Sequence, residues 1–277
     1  MNSTPSNNPS PKLGLPLVPT LLAVSAAGIW LVEPRWMQSE PDVAVIAVLI
    51  PLALGMAKNR RSQGSKPATK HGLWLTAMGL TAGVLTGSMT LMAFSWGYLA
   101  ARFWAVPSDV RLGRLTVLFA GAFPWVLLDF FSVGWAFRLS AATVAAQVFE
   151  GLGFVAVSDG TFLTIDGVEI SVENACSGLN LLQTLLSAGV ALTATQFPTA
   201  RAFWVLLVAL PGLAWVANTT RVMAISWWGW RYGADAAAGA FHTWGALIVL
   251  VAALGLFLGT ASLLRRTPLG REKKDIE

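Results

Sequence analysis

Three residues with chemically useful side chains stand at the ends of predicted apolar helices: Cys176, Arg221 and His242. Cys176 is the only cysteine among 277 residues, so it forms no disulfide within the chain. A cysteine thiol becomes a nucleophile when its pKa falls toward neutrality, and a neighbouring histidine serves as base and acid in thiol acyl transfer. A fixed guanidinium holds a carboxylate or stabilises an oxyanion. The three residue types together indicate cysteine-based acyl transfer.

Each of these residues also has a purely structural interpretation when it is taken alone. Cys176 can be an inert packing group, Arg221 a side chain that reaches from a helix end to the interface, and His242 a hydrogen-bonded structural group. All three are predicted to lie at helix ends on one face of the membrane, whereas unrelated placements would be divided between the two faces. Their shared face favours a catalytic role for the three residues over a purely structural one.

Cys176 lies in the run Glu173-Asn174-Ala175-Cys176-Ser177-Gly178-Leu179-Asn180, directly before a long apolar stretch. A thiol that opens a helix meets the free N–H groups of the first turn, which stabilise the thiolate. The three amides that follow the cysteine are candidates to receive an oxyanion, and Gly178 allows close approach. Glu173 and Asn174 either orient the arginine or the cysteine turn, or cap the following helix.

The composition is that of a polytopic membrane protein. Hydrophobic residues make up 55% of the chain, charged residues only 12%, and the mean hydropathy is +0.62. A soluble domain carries about 25% charged residues. The net charge of +5 falls mostly in short loops, where it orients the chain in the bilayer and does not imply a nucleic-acid partner. No metal-ligand spacing and no phosphate-binding loop occurs, so we expect neither metal nor cofactor.

Apolar runs of membrane-spanning length predict an all-α fold with about eight transmembrane helices. The basic segments 58–70 and 102–114 both belong in the cytoplasm, so the chain crosses the membrane an even number of times between them. This favours two short helices broken at Gly87-Ser88 over one long helix in 73–106. The predicted helices are 13–32, 42–57, 73–87, 89–106, 115–136, 178–196, 202–219 and 243–264.

The segment 138–177 is the one sizeable insertion between predicted spans, and its acidic character places it and Cys176 on the extracytoplasmic side. Its first part, Leu139 to Phe149, has apolar residues at helical spacing and is predicted to lie in the interface as an amphipathic helix. Two β-rich runs around Asp166-Gly167 predict a hairpin that leads into the cysteine turn and offers an edge strand to an extended peptide. The segment 222–241 is predicted to be interfacial or re-entrant.

Three polar residues elsewhere have less certain roles. Asp129, near one end of the fifth predicted helix, is either functional or a hydrated or Arg138-paired acid. Gln183, about two turns into the sixth helix, is predicted to form a helix–helix hydrogen bond. His71, in a basic loop, is predicted to be solvated.

Three motifs carry a family resemblance. The run from Val172 to Leu179 resembles the cysteine motif of the exosortase/archaeosortase family of membrane transpeptidases. Asn218-Thr219-Thr220-Arg221 resembles its Asn-x-x-Arg motif, and Phe241-His242-Thr243-Trp244-Gly245 resembles its histidine motif. The resemblance covers residues 115–264. The fifth helix departs from the pattern, because Asp129-Phe130-Phe131 stands where many members have a proline-rich exit.

The resemblance implies a cysteine peptidase that cleaves the C-terminal sorting signal of secreted proteins and transfers them to a surface acceptor of unknown identity. Such signals combine a short motif (Pro-Glu-Pro in the bacterial type), an apolar helix and a basic tail. Cys176 would be the nucleophile, with Arg221 and His242 assisting. The supporting residues would be Glu173, Asn174, Ser177, Gly178 and Asn218.

The predicted organisation combines composition, hydropathy and loop charge with this resemblance, which supplies the catalytic core. It comprises a disordered tail at 1–12, N-terminal transmembrane helices at 13–114, a catalytic core at 115–264 and a basic cytoplasmic tail at 265–277. The active site would face outward from the cytoplasmic (inner) membrane, whose lipid surrounds the chain. The alternative from another class is a permease or a membrane assembly factor without peptidase activity.

Overall fold

The computed structural model describes residues 17–32, 70–104, 109–172, 177–196, 200–233 and 240–266. These residues form helices and one small three-stranded sheet. The predicted helix 42–57 and the predicted N-terminal tail lie outside the described residues. The helices are α1 (Leu17–Val32), α2 (Lys70–Thr86), α3 (Met89–Trp104), α4 (Asp109–Ala120), α5 (Trp125–Asp129), α6 (Phe131–Gly151), α7 (Leu179–Gln196), α8 (Ala200–Tyr232) and α9 (Ala240–Arg266).

The segment 73–106 is two helices, as predicted. The break comes at Gly87, whose φ of 66° ends α2, and the two helices pack against each other. Asp129 stabilises the start of α3 from another part of the chain. Its carboxylate accepts hydrogen bonds from Ser88 Oγ at 2.9 Å and from the backbone N–H of Thr90 at 2.7 Å. Asp129 is therefore the cap of a neighbouring helix, and not the Arg138-paired acid considered above.

The prediction of one helix over 115–136 was wrong. The chain there is broken twice, because α4 ends at Ala120 and α5 is a separate helix of five residues that is followed directly by α6. Pro124 explains the first break, since it lacks an N–H group and disfavours a helical conformation at the residue before it. Breaking a buried helix leaves main-chain groups without intrahelical partners.

Two side chains of α7 supply partners for the broken main chain. Gln183, fully buried, accepts a hydrogen bond from the N–H of Val126 at 2.9 Å and donates one to the carbonyl of Phe123 at 3.2 Å. Ser187, one turn further on, donates to the carbonyl of Gly121 at 2.8 Å. The predicted role of Gln183 as a helix–helix hydrogen bond is confirmed.

Two helices are longer than predicted. The segment Leu139–Phe149 is not a separate interfacial helix but the second half of α6. Residues 222–232 are not a re-entrant stretch but the continuation of α8, which has 33 residues. At 1.5 Å per residue α8 is about 50 Å long, whereas a hydrocarbon core is about 30 Å thick. Among the described residues, 201–232 and 247–264 are long and apolar enough to cross a membrane.

Apolar packing follows α8 from one end to the other in three clusters. The bundle cluster contains residues of the other helices and, from α8, Ala202, Phe203, Leu206, Leu210 and Ala214. The junction cluster contains Ala141, Ala142, Val172, Val222 and Ile225. The sheet cluster contains Ala145, Ala146, Phe149, Leu163, Ile165 and Ile170, with Met223 and Trp230 of α8 against it.

The sheet has the order β1 (Ala156–Asp159), β2 (Phe162–Ile165) and β3 (Val168–Ser171), with both pairs antiparallel. Asp166 and Gly167 join β2 to β3, and both have positive φ, at 49° and 84°. This is the backbone that a two-residue hairpin turn of type I′ requires. The ladder ends where the N–H of Val172 donates to the carbonyl of Thr161 at 2.9 Å.

Candidate active site

The structure describes both flanks of the predicted nucleophile. The cysteine segment, residues 173–176, lies outside the described residues together with its predicted site residues Glu173, Asn174 and Cys176. Val172 precedes this segment and is buried, while Ser177 follows it and is half-buried. The site can therefore be built from what fixes these two ends.

Gly178 joins two of the predicted motifs. Its φ is +75°, a conformation that L side chains rarely adopt. A Cβ at this position would lie 2.9 Å from Cγ and 3.0 Å from Cβ of Asn218, which is itself buried. Asn218 therefore packs directly on the α-carbon of Gly178. Glycine is required there for its backbone conformation and for the space, and the turn after the cysteine segment rests on α8.

The same turn also rests on α6. A Cβ added to Gly134 would lie 2.7 Å from Cδ1 of Leu179 and 3.2 Å from Cβ of Ser177. Gly134 thus lets α6 approach the start of α7 closely. Two helices, α6 and α8, contact the chain immediately after the cysteine segment.

Arg138 brings α6 to the other flank. It lies one turn after Gly134 on the same helix face, and its Nη1 is 3.5 Å from the carbonyl oxygen of Val172. Its Nε is buried, and among the described residues no hydrogen-bond partner faces it. Val172 also packs between Ala142 of α6 and Val222 of α8 in the junction cluster. Both ends of the cysteine segment are therefore held by the same two helices.

Arg221 lies on α8 between two residues that support this arrangement, Asn218 and Val222. It follows Asn218 by three residues and so shares its side of α8, and it directly precedes Val222 of the junction cluster. The sequence placed Arg221 at the outer end of a helix ending near 219, but α8 continues for eleven residues beyond it, to Tyr232. A continuous helix, and not a loop, carries the half-buried guanidinium.

His242 is the third residue of α9, which begins at Ala240 and packs against α8. The prediction that His242 opens the last helix is confirmed for the main chain. The described contacts join Gly178 to Asn218 and Gly134 to Ser177 and Leu179.

The start of α7 gives the site a favourable electrostatic setting. Its first intrahelical bond runs from the N–H of Leu182 to the carbonyl of Gly178 at 2.8 Å, and Ser177 Oγ accepts from the N–H of Leu179 at 3.4 Å. The N–H groups of a first helical turn point toward the preceding chain and carry partial positive charge. Arg138, whose Nη1 lies 3.5 Å from the carbonyl oxygen of Val172, adds a full positive charge on the other flank of the cysteine segment.

Two of these residues were not identified as site residues from the sequence. Gly134 carries no chemical signal by itself, and Arg138 was considered only as a partner for Asp129. The available signal was that Arg138 is the single basic residue of the acidic segment 138–177. Among the described residues no group of three His, Cys, Asp or Glu side chains is placed to hold a metal ion.

Comparison with known proteins gives one match. The model of the transmembrane exosortase family matches residues 16–259, which is most of the chain and includes all three motifs. No curated protein and no solved structure matches the sequence.

Proposed function

The chain belongs to the transmembrane exosortase family and is a membrane protein, and from this premise we propose that it is a cysteine transpeptidase that processes secreted proteins. Its substrates would carry a C-terminal sorting signal with a short motif, an apolar helix and a basic tail. The observation that carries the proposal is the contact of Gly178 with Asn218. This contact joins the turn after Cys176 to the helix that presents Arg221, two motifs that are 40 residues apart in sequence.

The proposed reaction has two acyl-transfer steps. In the first, the Cys176 thiolate attacks a substrate peptide carbonyl, a thioester bond forms and the peptide C–N bond breaks. The proton taken from the thiol goes to the leaving amine, and His242 is the residue that we propose for this transfer. In the second step an acceptor nucleophile or water attacks the thioester, and the thiol is released with its proton restored.

Two groups are proposed to stabilise the tetrahedral intermediates. The N–H groups at the start of α7 are oriented toward the cysteine segment, and oriented backbone donors of this kind form oxyanion holes. Arg221 would contribute the second positive group, either to the oxyanion or to a substrate carboxylate. Its place on an unbroken helix supports this role, because a preorganised charge needs no rearrangement during the reaction.

The proposed orientation places the site outside the cytoplasmic membrane. About eight spans would cross the bilayer, with the basic loops and the basic tail inside and the acidic segment 138–177 outside. The length of α8 supports this arrangement, because its second half extends past what the hydrocarbon core needs and packs against the sheet.

The decisive experiment replaces Cys176 by Ala and follows a secreted reporter that ends in a Pro-Glu-Pro motif, an apolar helix and a basic tail. We expect processing to stop while membrane insertion of the enzyme is unchanged. A trapped thioester adduct on Cys176, weighed by mass spectrometry, would identify both the nucleophile and the cleavage position. Processing that continues in the Cys176→Ala protein would refute the proposal and favour a partner-binding or transport role.

A second measurement addresses the orientation. Because the chain has a single cysteine, a membrane-impermeant maleimide reports on one position only. We expect Cys176 to be labelled from the extracytoplasmic side of intact cells. Labelling that requires permeabilised cells would contradict the proposed topology and leave the chemistry open to the adduct experiment.

A further inference from the structure

We propose that the outer edge of β3 binds the substrate as an added β-strand, and that this pairing delivers the peptide to the cysteine segment. The inference rests on the proposed function, since it names the site at which the same substrate is held.

The register fixes which main-chain groups of β3 face outward. Val172 donates to Thr161, so these two residues form a hydrogen-bonded pair of the antiparallel ladder. Such pairs alternate along an antiparallel ladder with pairs that do not exchange hydrogen bonds. Ile170 and Val168 therefore bond to β2, whereas the N–H and C=O groups of Glu169 and Ser171 point away from it.

This edge is open within the part of the chain that the structure describes. Glu169 and Ser171 are both exposed, and no described main-chain group outside the sheet bonds to either of them. Two outward residues provide two donors and two acceptors at the spacing of a neighbouring strand, which is the set that an extended peptide satisfies.

The other edge of the sheet provides a natural comparison. Asp166 donates to the carbonyl of Val155, so by the same alternation the outward residues of β1 are Ala156 and Ser158. The chain before β1 comes from the end of α6, away from the cysteine segment. The chain after β3 passes through Val172 directly into that segment. Because β3 leads along the chain directly to the proposed nucleophile, we infer that its edge, and not that of β1, binds the substrate.

The distances suit a single extended peptide. Ser171 and Cys176 are five residues apart, so at about 3.4 Å per residue they are separated by at most about 17 Å. A strand added to β3 lies about 4.8 Å from it. A peptide that pairs with Ser171 would therefore reach the thiol with only a few further residues.

The strand is also rigid before the substrate arrives. Ile170 of β3 is buried with Leu163 and Ile165 of β2 against α6, and Val172 is buried in the junction cluster. A strand whose other face is fixed in this way loses little conformational freedom on binding. The outward groups are thus presented in a fixed register relative to the cysteine segment.

Cross-linking tests the pairing without relying on catalysis. In a Cys176→Ala background, Ser171→Cys provides the only thiol of the enzyme, and single cysteines are placed in turn along the reporter ahead of its apolar helix. We expect oxidative disulfides at every second reporter position, since only alternate side chains of a paired strand face the same side. The matched control is Asp159→Cys on β1, which lies with Ser171 on the exposed face of the sheet, on the other side of Phe162, and should form none.

Kinetics provide the second measurement. Proline at residue 171 removes an outward N–H but no bond of the ladder, and edge strands tolerate such a residue. Ser171→Pro should raise KM for the reporter about fivefold, the value of one hydrogen bond, with kcat within about twofold of the wild type. Ser158→Pro removes the equivalent N–H from the other edge and should change neither constant.

The outcomes separate the two proposals. Equal cross-linking by the two edges, or cross-links without alternation, would overturn strand pairing even if Cys176 proves to be the nucleophile. Reporter processing that is unchanged in the Cys176→Ala protein would overturn the proposed function. An alternating cross-linking pattern at Ser171→Cys would still establish the binding edge.

Discussion

The two halves of α8 serve different surroundings. In its first half the residues that face away from the bundle cluster are large and apolar, among them Trp204, Val205 and Val208, and all three are exposed. In its second half Val222, Ile225 and Met223 turn inward against α6 and the sheet. Exposed apolar surface is typical of contact with lipid, whereas a helix that packs on a sheet buries its apolar side within the protein. Asn218 and Arg221 lie at the boundary.

This difference predicts that substitutions in the two regions affect different properties, stability in one and activity in the other. Changes in the bundle half should lower stability and leave the chemistry of the surviving folded protein intact. Changes at the boundary should lower activity at little cost in stability, because they displace the cysteine segment and not the core. Four substitutions test this division, and they are ordered here by the free energy expected from each.

Gly178→Ala should have the largest effect, a loss of about 100-fold in kcat/KM for the reporter. The added methyl meets Asn218 and the backbone must keep a positive φ, so the turn has to move, and a displacement of about 1 Å at a reacting group costs about this much. The measurement is the rate of reporter processing at equal enzyme levels. Gly153→Ala is the matched control, because Gly153 also has a positive φ, at 93°, but open space around its α-carbon. Equal losses in both variants would mean that backbone strain alone matters and that the contact with Asn218 does not.

Gln183→Leu, in α7, tests the prediction that changes within the helix bundle lower stability and not activity. It leaves the N–H of Val126 and the carbonyl of Phe123 buried without partners, which should cost about 2 kcal/mol of stability. The apparent Tm in detergent should fall by several degrees, while the activity per folded molecule at low temperature stays unchanged. Thr184→Ala serves as control, since Thr184 bonds only to Asn180 of its own helix. A loss of activity without a loss of stability would contradict the division between the two halves.

Arg138→Met should lower kcat about 10-fold and leave KM unchanged, because the entry to the cysteine segment loses a hydrogen bond from a charged group. Arg138→Lys, which keeps the charge, should recover part of the rate. The rate at which a small neutral reagent alkylates Cys176 reports the same change without substrate. Arg231→Met removes an exposed arginine near the end of α8 and should have no effect. If Lys and Met variants behaved alike, a role for the charge would be ruled out.

Asp129→Asn should have the smallest effect, a destabilisation of about 0.5 to 1 kcal/mol. The amide keeps the shape of the cap but loses the negative charge at the start of α3, and one of the two accepting oxygens becomes an NH2 group, which does not accept. A small decrease in Tm with full activity is the expected result. Asp159→Asn, an exposed acid at the end of β1, provides the comparison and should leave Tm unchanged.

Sequence reasoning succeeded where the signal was local. Gly87-Ser88 marked a helix break because glycine ends helices and loop charges required two crossings. Gln183 was assigned to helix contacts because an amide within an apolar helix needs a partner. Gly178 and Asn218 were named from separate motifs and are in contact, while the catalytic roles of the motif residues stay predictions.

It failed where an element's end depends on distant packing. Hydropathy identifies only the part of a helix that crosses the membrane, so it predicted that α8 would end near 219. The helix continues to Tyr232, and Met223 and Trp230 in this continuation pack on the sheet. The break at Pro124 was visible in the sequence. The hydrogen bond that Gln183 accepts from the main chain after this break joins residues 57 positions apart, so no local signal predicted it. The approach of Gly134 and Arg138 to the cysteine segment likewise depends on how α6 lies, which periodicity does not encode.

Because α8 is one continuous helix, the distances between its residues along the helix axis are fixed. Arg221 stands five residues beyond Val216, the last of the exposed valines on the bundle half, and at 1.5 Å per residue this step is about 7.5 Å. The height of the Arg221 α-carbon above the band of exposed apolar side chains is therefore fixed by the helix. Under the proposed function, a substrate anchored by its own apolar helix would need its cleavage site at the height of Arg221, so the length of that helix would become a criterion of selection alongside its sequence. One extra helical turn in such a substrate would shift its bond by 5.4 Å relative to Arg221.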